Sequence, residues 1–141
     1  MADKTISLDF DGCWMESNME EIPKESGIYV VYECTYEALN NEVSLSKLIY
    51  IGQAENIKER IINHERWPLW RKKCGFGRKI CFSCAAVSSP DRERGEAALI
   101  YRHKPPVNNE YINNFPFDET TMALTGKTIL LTARFTVLRK D

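Results

Sequence analysis

The chain has 141 residues, 43% of them hydrophobic and 28% charged, with a formal net charge of −1. That length supports one domain with its own core, and that composition excludes a disordered chain. No apolar run approaches the ~20 residues of a membrane span, and the acidic first ten residues carry no apolar signal segment, so a cytoplasmic protein with no membrane partner is expected.

Residues 4–10 (Lys-Thr-Ile-Ser-Leu-Asp-Phe) alternate polar and apolar, the pattern of a half-buried strand. Asp11-Gly12 reads as a turn, and Trp14 to Glu21 as a short helix or loop that Pro23 ends. The first core strand is predicted from Gly27 to Tyr36, with Ile28 to Tyr32 β-branched and aromatic. Asn40-Asn41 marks a turn inside an enlarged hairpin connection from Thr35 to Lys47. Leu48 to Ile51 then reads as the second strand.

A helix is predicted from about Glu55, with Ile57 and Ile61 forming its apolar stripe. Arg60 and His64 are also four apart, so they share one face beside that stripe. Pro68 breaks or restarts the helix, and Gly75-Phe76-Gly77 is a turn before a third strand from Lys79 to Val87. Ser89-Pro90-Asp91 starts a helix that runs to Arg102 and stops before Pro105-Pro106. Glu96, three and four residues before Leu99 and Ile100, borders the buried side of that helix and needs a cation or metal beside it. Val107 to Gly126 is polar and irregular, and Thr128 to Leu138 reads as a long strand that can pair with the N-terminal one.

The charges are unevenly placed. Residues 1–39 carry nine acidic and two basic side chains, whereas residues 56–79 carry eight Lys/Arg and two Glu. A basic segment of that kind, including Lys58, Arg60, Arg71 and Lys72, can bind phosphates even in a near-neutral chain, or it can be a solvated face. Trp67 and Trp70 beside those cations have two readings: stacking platforms for bases, or caps on the core. Five cysteines without an export signal are expected to be reduced. Cys81 and Cys84 would face opposite sides of an alternating strand, which argues against a shared zinc site. Gly126-Lys127-Thr128 lacks the upstream glycine of a phosphate-binding loop.

Gly27-Ile28-Tyr29, then Tyr50-Ile51-Gly52, Arg60, Glu96 and Lys104-Pro105-Pro106-Val107-Asn108 follow one another in an order that resembles the GIY-YIG nuclease family. The resemblance covers roughly residues 25–110, leaving residues 1–24 and 111–141 as terminal extensions of a single domain. It implies an α+β fold: a small mixed, mostly antiparallel three-stranded core sheet with flanking helices, extended here by N- and C-terminal strands. It also implies a metal-dependent endonuclease acting on DNA with Mg²⁺ or Mn²⁺, leaving a 5′-phosphate and a 3′-hydroxyl.

By the same resemblance, Glu96 is the metal ligand, and Arg60 binds the scissile phosphate. Tyr29 is the general base, with Tyr50 as the alternative base or a phosphate ligand. His64 is a proton carrier, and Asn108 a support or substrate contact. Gln53 departs from the small hydroxyl residue or lysine of several branches of the family, which leaves the role of that position open. A targeting protein or subunit is a further expected partner, since no zinc finger or helix-turn-helix is evident. The competing readings are a non-catalytic DNA-binding or protein-interaction module of the same fold, and a nuclease acting on RNA.

Overall fold

The computed structural model describes residues 2–141. Strand β1 spans Lys4–Met15, β2 Gly27–Glu37, β3 Glu42–Ala54, β4 Lys79–Ala86, β5 Thr120–Gly126 and β6 Arg134–Val137. Helix α1 spans Ile57–Ile62, α2 Trp67–Lys73 and α3 Asp91–His103. The strands form one mixed sheet in the order β3-β2-β4-β1-β5-β6, parallel only between β1 and β5. The chain is therefore α+β, with six strands in a single sheet rather than three. The three strands expected at the core are adjacent at one end, and the terminal segments complete the other.

Both faces of the sheet are covered. Ile6, Leu8, Ile28 and Val30 pack under Ala97, Ala98 and Leu99 of α3. Tyr29, Val31, Ile49 and Phe82 pack under Ile57 and Ile61 of α1 and Trp70 of α2. Double coverage explains why β2 is buried continuously from Gly27 to Cys34 and reads as an apolar run from Ile28 to Tyr32. Cys81 and Cys84 fall in the two opposite layers, as strand alternation requires, and all five cysteines are free. Among the described residues no helix is long and apolar enough to cross a membrane.

Local signals set most boundaries. The Asn56 side chain accepts a hydrogen bond from the Glu59 N–H at 3.1 Å, so α1 starts after this cap rather than at Glu55. Pro68 sits in the first turn of α2, where its missing N–H costs nothing. Trp70 is fully buried and Trp67 stacks against it at 5.1 Å, which places the pair in the core layer rather than on a base-stacking surface.

Five expectations are corrected. Asp11-Gly12 is not a turn, because β1 runs on to Met15 against β4 with a shift of register between Gly12 and Trp14. Only Glu16–Glu21 is helical, as a 3-10 segment. The hairpin connection is not an enlarged loop. β2 and β3 stay paired out to Glu37 and Glu42, so the additional residues lengthen the arms, and Asn41 turns the chain at φ 51°.

The long strand at Thr128 to Leu138 shrinks to Arg134–Val137. Residues 127–133 instead reverse direction, with the Leu131 N–H bonded to the Thr128 carbonyl and Ile129 exposed. The strand beside β1 is β5, in the segment expected to be irregular, with Ile6 opposite Met122 and Leu8 opposite Leu124.

Gly27 lies where β2 and β4 approach too closely for a side chain. A Cβ there would sit 2.1 Å from the Ala85 carbonyl oxygen and 2.9 Å from Ile57 Cδ1. The strands must therefore part to admit one methyl group. Gly27→Ala is expected to lower stability by about 3 kcal/mol in urea denaturation; an unchanged midpoint would contradict this packing.

Candidate active site

Strand β3 is the free edge of the sheet, so alternate backbone groups along it point outward and need partners. Those groups belong to Ile49, Ile51 and Gln53. The Val107 N–H bonds the Ile49 carbonyl at 3.2 Å. The Asn108 side chain brackets Ile51, accepting from its N–H at 2.9 Å and donating to its carbonyl at 2.8 Å. The Gln53 N–H faces the Glu96 carboxyl, near enough to oppose the rise of its pKa. Residues after α3, and a side chain of α3 itself, thus close the edge on which Tyr50-Ile51-Gly52 lies.

Tyr29 stands opposite Gly52 in the β2–β3 register. A Cβ on Gly52 would lie 2.3 Å from the Tyr29 hydroxyl oxygen and ring, so the tyrosine leans across bare backbone. The glycine of one triplet makes room for the tyrosine of the other. Tyr50 lies beside it with ring centroids 6.3 Å apart. Arg60 from α1 reaches the Tyr29 hydroxyl, and Glu96 is close enough to act electrostatically on both phenols. Four of the predicted site residues are therefore brought together: Tyr29, Tyr50, Arg60 and Glu96.

Their protonation follows from burial. Desolvation pushes the Tyr29 phenol far above its ordinary value, and Tyr50 and Glu96 add to this while Arg60 opposes it. Tyr50 is raised for the same leading reason. Both are neutral hydrogen-bond donors at pH 7. The Glu96 carboxyl is raised from 4.5 to about 8, first by burial and then by the negative charges of Glu110 and Glu93, with Gln53 and Arg60 opposing. Glu96 therefore keeps its proton at pH 7, and of the two carboxylates acting on it Glu93 is already bonded to Ser89 and Arg92.

Arg60 does not neutralise Glu96, because its guanidinium is clasped by Glu65 at 2.9 and 3.0 Å. That pair also holds Glu65 down at about 2. Among the described residues no three His, Cys, Asp or Glu side chains converge as a ready-made metal centre. Mg²⁺ binds through one or two carboxylates and keeps several waters, so a half-buried Glu96 with the Glu110 charge acting on it is a donor set that fits it.

His64 lies just beyond α1 with its side chain fully buried. Its Nδ1 accepts the Arg66 N–H at 3.1 Å, which leaves the proton on Nε2. Burial and the charge of Arg60 hold its pKa at about 4, so it is neutral. The ring packs on Trp70 at 4.6 Å and Tyr50 at 5.3 Å, and Nε2 has no hydrogen-bond partner among the described residues. As placed, His64 is a wall that sets the position of Tyr50, with the Glu65 carboxylate 3.3 Å from its Nδ1.

The remaining predicted contacts are dispersed. Lys58 bonds the carbonyl and carboxylate of Glu20 at 2.9 and 3.1 Å. Arg71 forms a two-pronged pair with Glu16 at 3.0 and 2.8 Å and covers the Trp67 ring. Both cations expected to meet substrate are instead engaged with the N-terminal acidic segment. Asn108 spends both polar groups on Ile51, which makes it a support. Lys72 is exposed on a groove shared with Arg66, Lys73 and Asn109.

Three residues near the site were not anticipated. Arg66 lies over the Tyr50 ring at 6.0 Å. Arg92, almost fully buried, bonds the Gln53 side chain at 2.5 Å and Ser26 at 2.7 Å, fixing the end of β3. Glu110 brings a second carboxylate toward Glu96. Burial of Arg92 on the inner face of α3 was readable from helical spacing; the approach of Glu110, in an irregular segment, was not.

Comparison with known proteins finds no matching family model, no matching curated protein and no matching solved structure.

A raised carboxyl pKa ties stability to pH. The folded state holds the Glu96 proton more tightly than the unfolded chain does. The resulting stabilisation is complete below 4.5 and is lost as the pH rises through about 8. Relative to Glu96→Gln, the wild type is expected to lose a few kcal/mol between pH 5 and pH 9 in urea denaturation. Parallel pH curves for the two proteins would contradict a buried titrating carboxyl.

Proposed function

We propose that this chain is a metal-dependent endonuclease of the GIY-YIG type, hydrolysing DNA phosphodiester bonds by water attack. The observation that carries the reading is the meeting of Tyr29, Tyr50, Arg60 and Glu96 at the closed edge of β3. In this reading the β2–β3–β4 half of the sheet is the nuclease core, and β1, β5 and β6 are its terminal extensions. The site lies along the rim of the sheet, where a bulky duplex could be laid.

Each residue has a task that its surroundings support. Glu96, with Glu110 beside it, would hold Mg²⁺ or Mn²⁺. The bound cation supplies charge neutralisation for the phosphate and acidifies neighbouring groups. Arg60 swings between Glu65 and a phosphate oxygen, where its planar guanidinium matches the developing charge. Tyr29 donates a hydrogen bond while its phenol is neutral. It accepts the proton of the attacking water only once positive charge beside it lowers its pKa. Tyr50 is held by His64 and Arg66 as a second phosphate contact. Asn108 and Arg92 keep β3 and Gln53 in place. Lys72, with Arg66 and Lys73, provides backbone contacts, and targeting comes from a partner, because Lys58 and Arg71 are already paired within the chain.

One observation favours a non-catalytic binding module: Arg60 is closed onto Glu65. Turnover separates the two readings. Supercoiled plasmid, branched DNA and RNA are incubated with Mg²⁺ or Mn²⁺, with binding measured in parallel. Wild type is expected to nick DNA only with metal, and Glu96→Gln to abolish nicking. Arg60→Ala should slow it about 10²–10³-fold. Equal cutting by wild type and Glu96→Gln would remove Glu96 from the site. Binding without cutting by the wild type would establish the module, and cutting of RNA alone would reassign the substrate.

A further inference from the structure

Three of the five cysteines meet on one face of the sheet, away from the candidate active site. Cys81 lies on β4, between β1 and β2, opposite Met15 on one side and Tyr32 on the other. Cys34 is two residues along from Tyr32, and Cys13 sits in the register shift two residues before Met15. All three border the layer under α3, whereas Cys84 belongs to the opposite layer. The Cys81 thiol lies between Cys13 and Cys34 and can offer its single proton to either of them.

Access distinguishes them. Cys34 and Cys81 are fully buried. Cys13 is half-buried and lines a cavity of about 420 Å³ together with Val43, Leu45, Lys127 and Ile129. A small solute reaching this cluster therefore meets Cys13 first, with the sulfur of Cys81 directly behind it.

We propose that Cys13 is an oxidation site that reacts with a peroxide and closes a disulfide with Cys81, tying β1 to β4. The Cys13 thiolate attacks one peroxide oxygen, the O–O bond breaks, and the hydroxide released takes up a proton to become water. The Cys81 sulfur then attacks the Cys13 sulfenic sulfur. The S–O bond breaks, and the hydroxyl leaves as a second water with the Cys81 proton. Two thiols lose two hydrogens, and one peroxide becomes two waters.

The surroundings of Cys13 favour the first step. The Cys81 hydrogen bond and then the Lys127 charge lower its pKa against the effect of burial. Cys74 provides an internal comparison. It too is only partly buried, but desolvation and the neighbouring Glu33 carboxylate push its thiol up. Exposure alone would not favour Cys13 over Cys74.

The test treats the reduced full-length chain with hydrogen peroxide and follows intact mass and non-reducing peptide maps. The expected product has lost two hydrogens, regains them with dithiothreitol, and links the peptides of Cys13 and Cys81. Cys13→Ser should form none of it, and Cys74→Ser should form it at the wild-type rate. First oxidation at Cys74, a link between any other pair, or Cys13 oxidised without a link would each overturn the proposal. None of these results depends on nuclease activity.

Discussion

The outward-facing backbone of β3 is the constraint around which the candidate site is built. An edge strand must either be shielded or invite pairing with another chain. Here the shielding comes from sequence far downstream. Val107 and Asn108 cover Ile49 and Ile51, and Glu96 covers Gln53. That requirement brings a carboxylate from α3 round the edge of the sheet, toward tyrosines that belong to the opposite layer. It also explains why the helix is followed at once by Pro105-Pro106, which turn the chain back along the strand. Structural need and chemical arrangement coincide at this edge, and Glu96 is left half-buried while Arg60 pairs with Glu65.

The charge asymmetry of the chain has a structural answer. The 3-10 segment Glu16–Glu21 docks against the basic stretch, with Glu16 on Arg71 and Glu20 on Lys58. Exposed pairs of this kind contribute little stability, but they withdraw two cations from any phosphate-binding surface. The terminal regions are equally part of the domain: Arg94, buried in α3, bonds Thr120 and the carbonyls of Ala2, Asp118 and Glu119. One helix therefore fastens the sheet edge at Glu96 and both chain ends at Arg94.

Much of this was legible in the residues. Continuous apolar runs located β2 and the core of β3, Pro90 and the acidic first turn located α3, and the spacing of Ile57 and Ile61 located α1. The two glycines that mattered sat beside tyrosines, and their steric role became visible only once the strands were in register. What the sequence misjudged depended on tertiary pairing. Thr120–Gly126 is a short segment at the end of a polar, irregular stretch, yet Met122 and Leu124 complete the layer formed by Ile6 and Leu8 on β1. Thr-Ile-Leu-Leu at 128–131 has strong strand residues, yet no neighbouring strand is available there, and Ile129 faces solvent. Partner availability decided both cases. Charge counting likewise does not reveal that Lys58 and Arg71 have partners within the chain.

The most direct test of the account is a ¹³C NMR titration of the Glu96 carboxyl with and without Mg²⁺. The account predicts titration near pH 8 in the absence of the cation and a value lower by about two units or more when Mg²⁺ is saturating. Titration near 4.5 under both conditions would contradict it. Glu96 would then be an ordinary solvated carboxylate, and the edge of β3 would be a closed seam rather than a cation site.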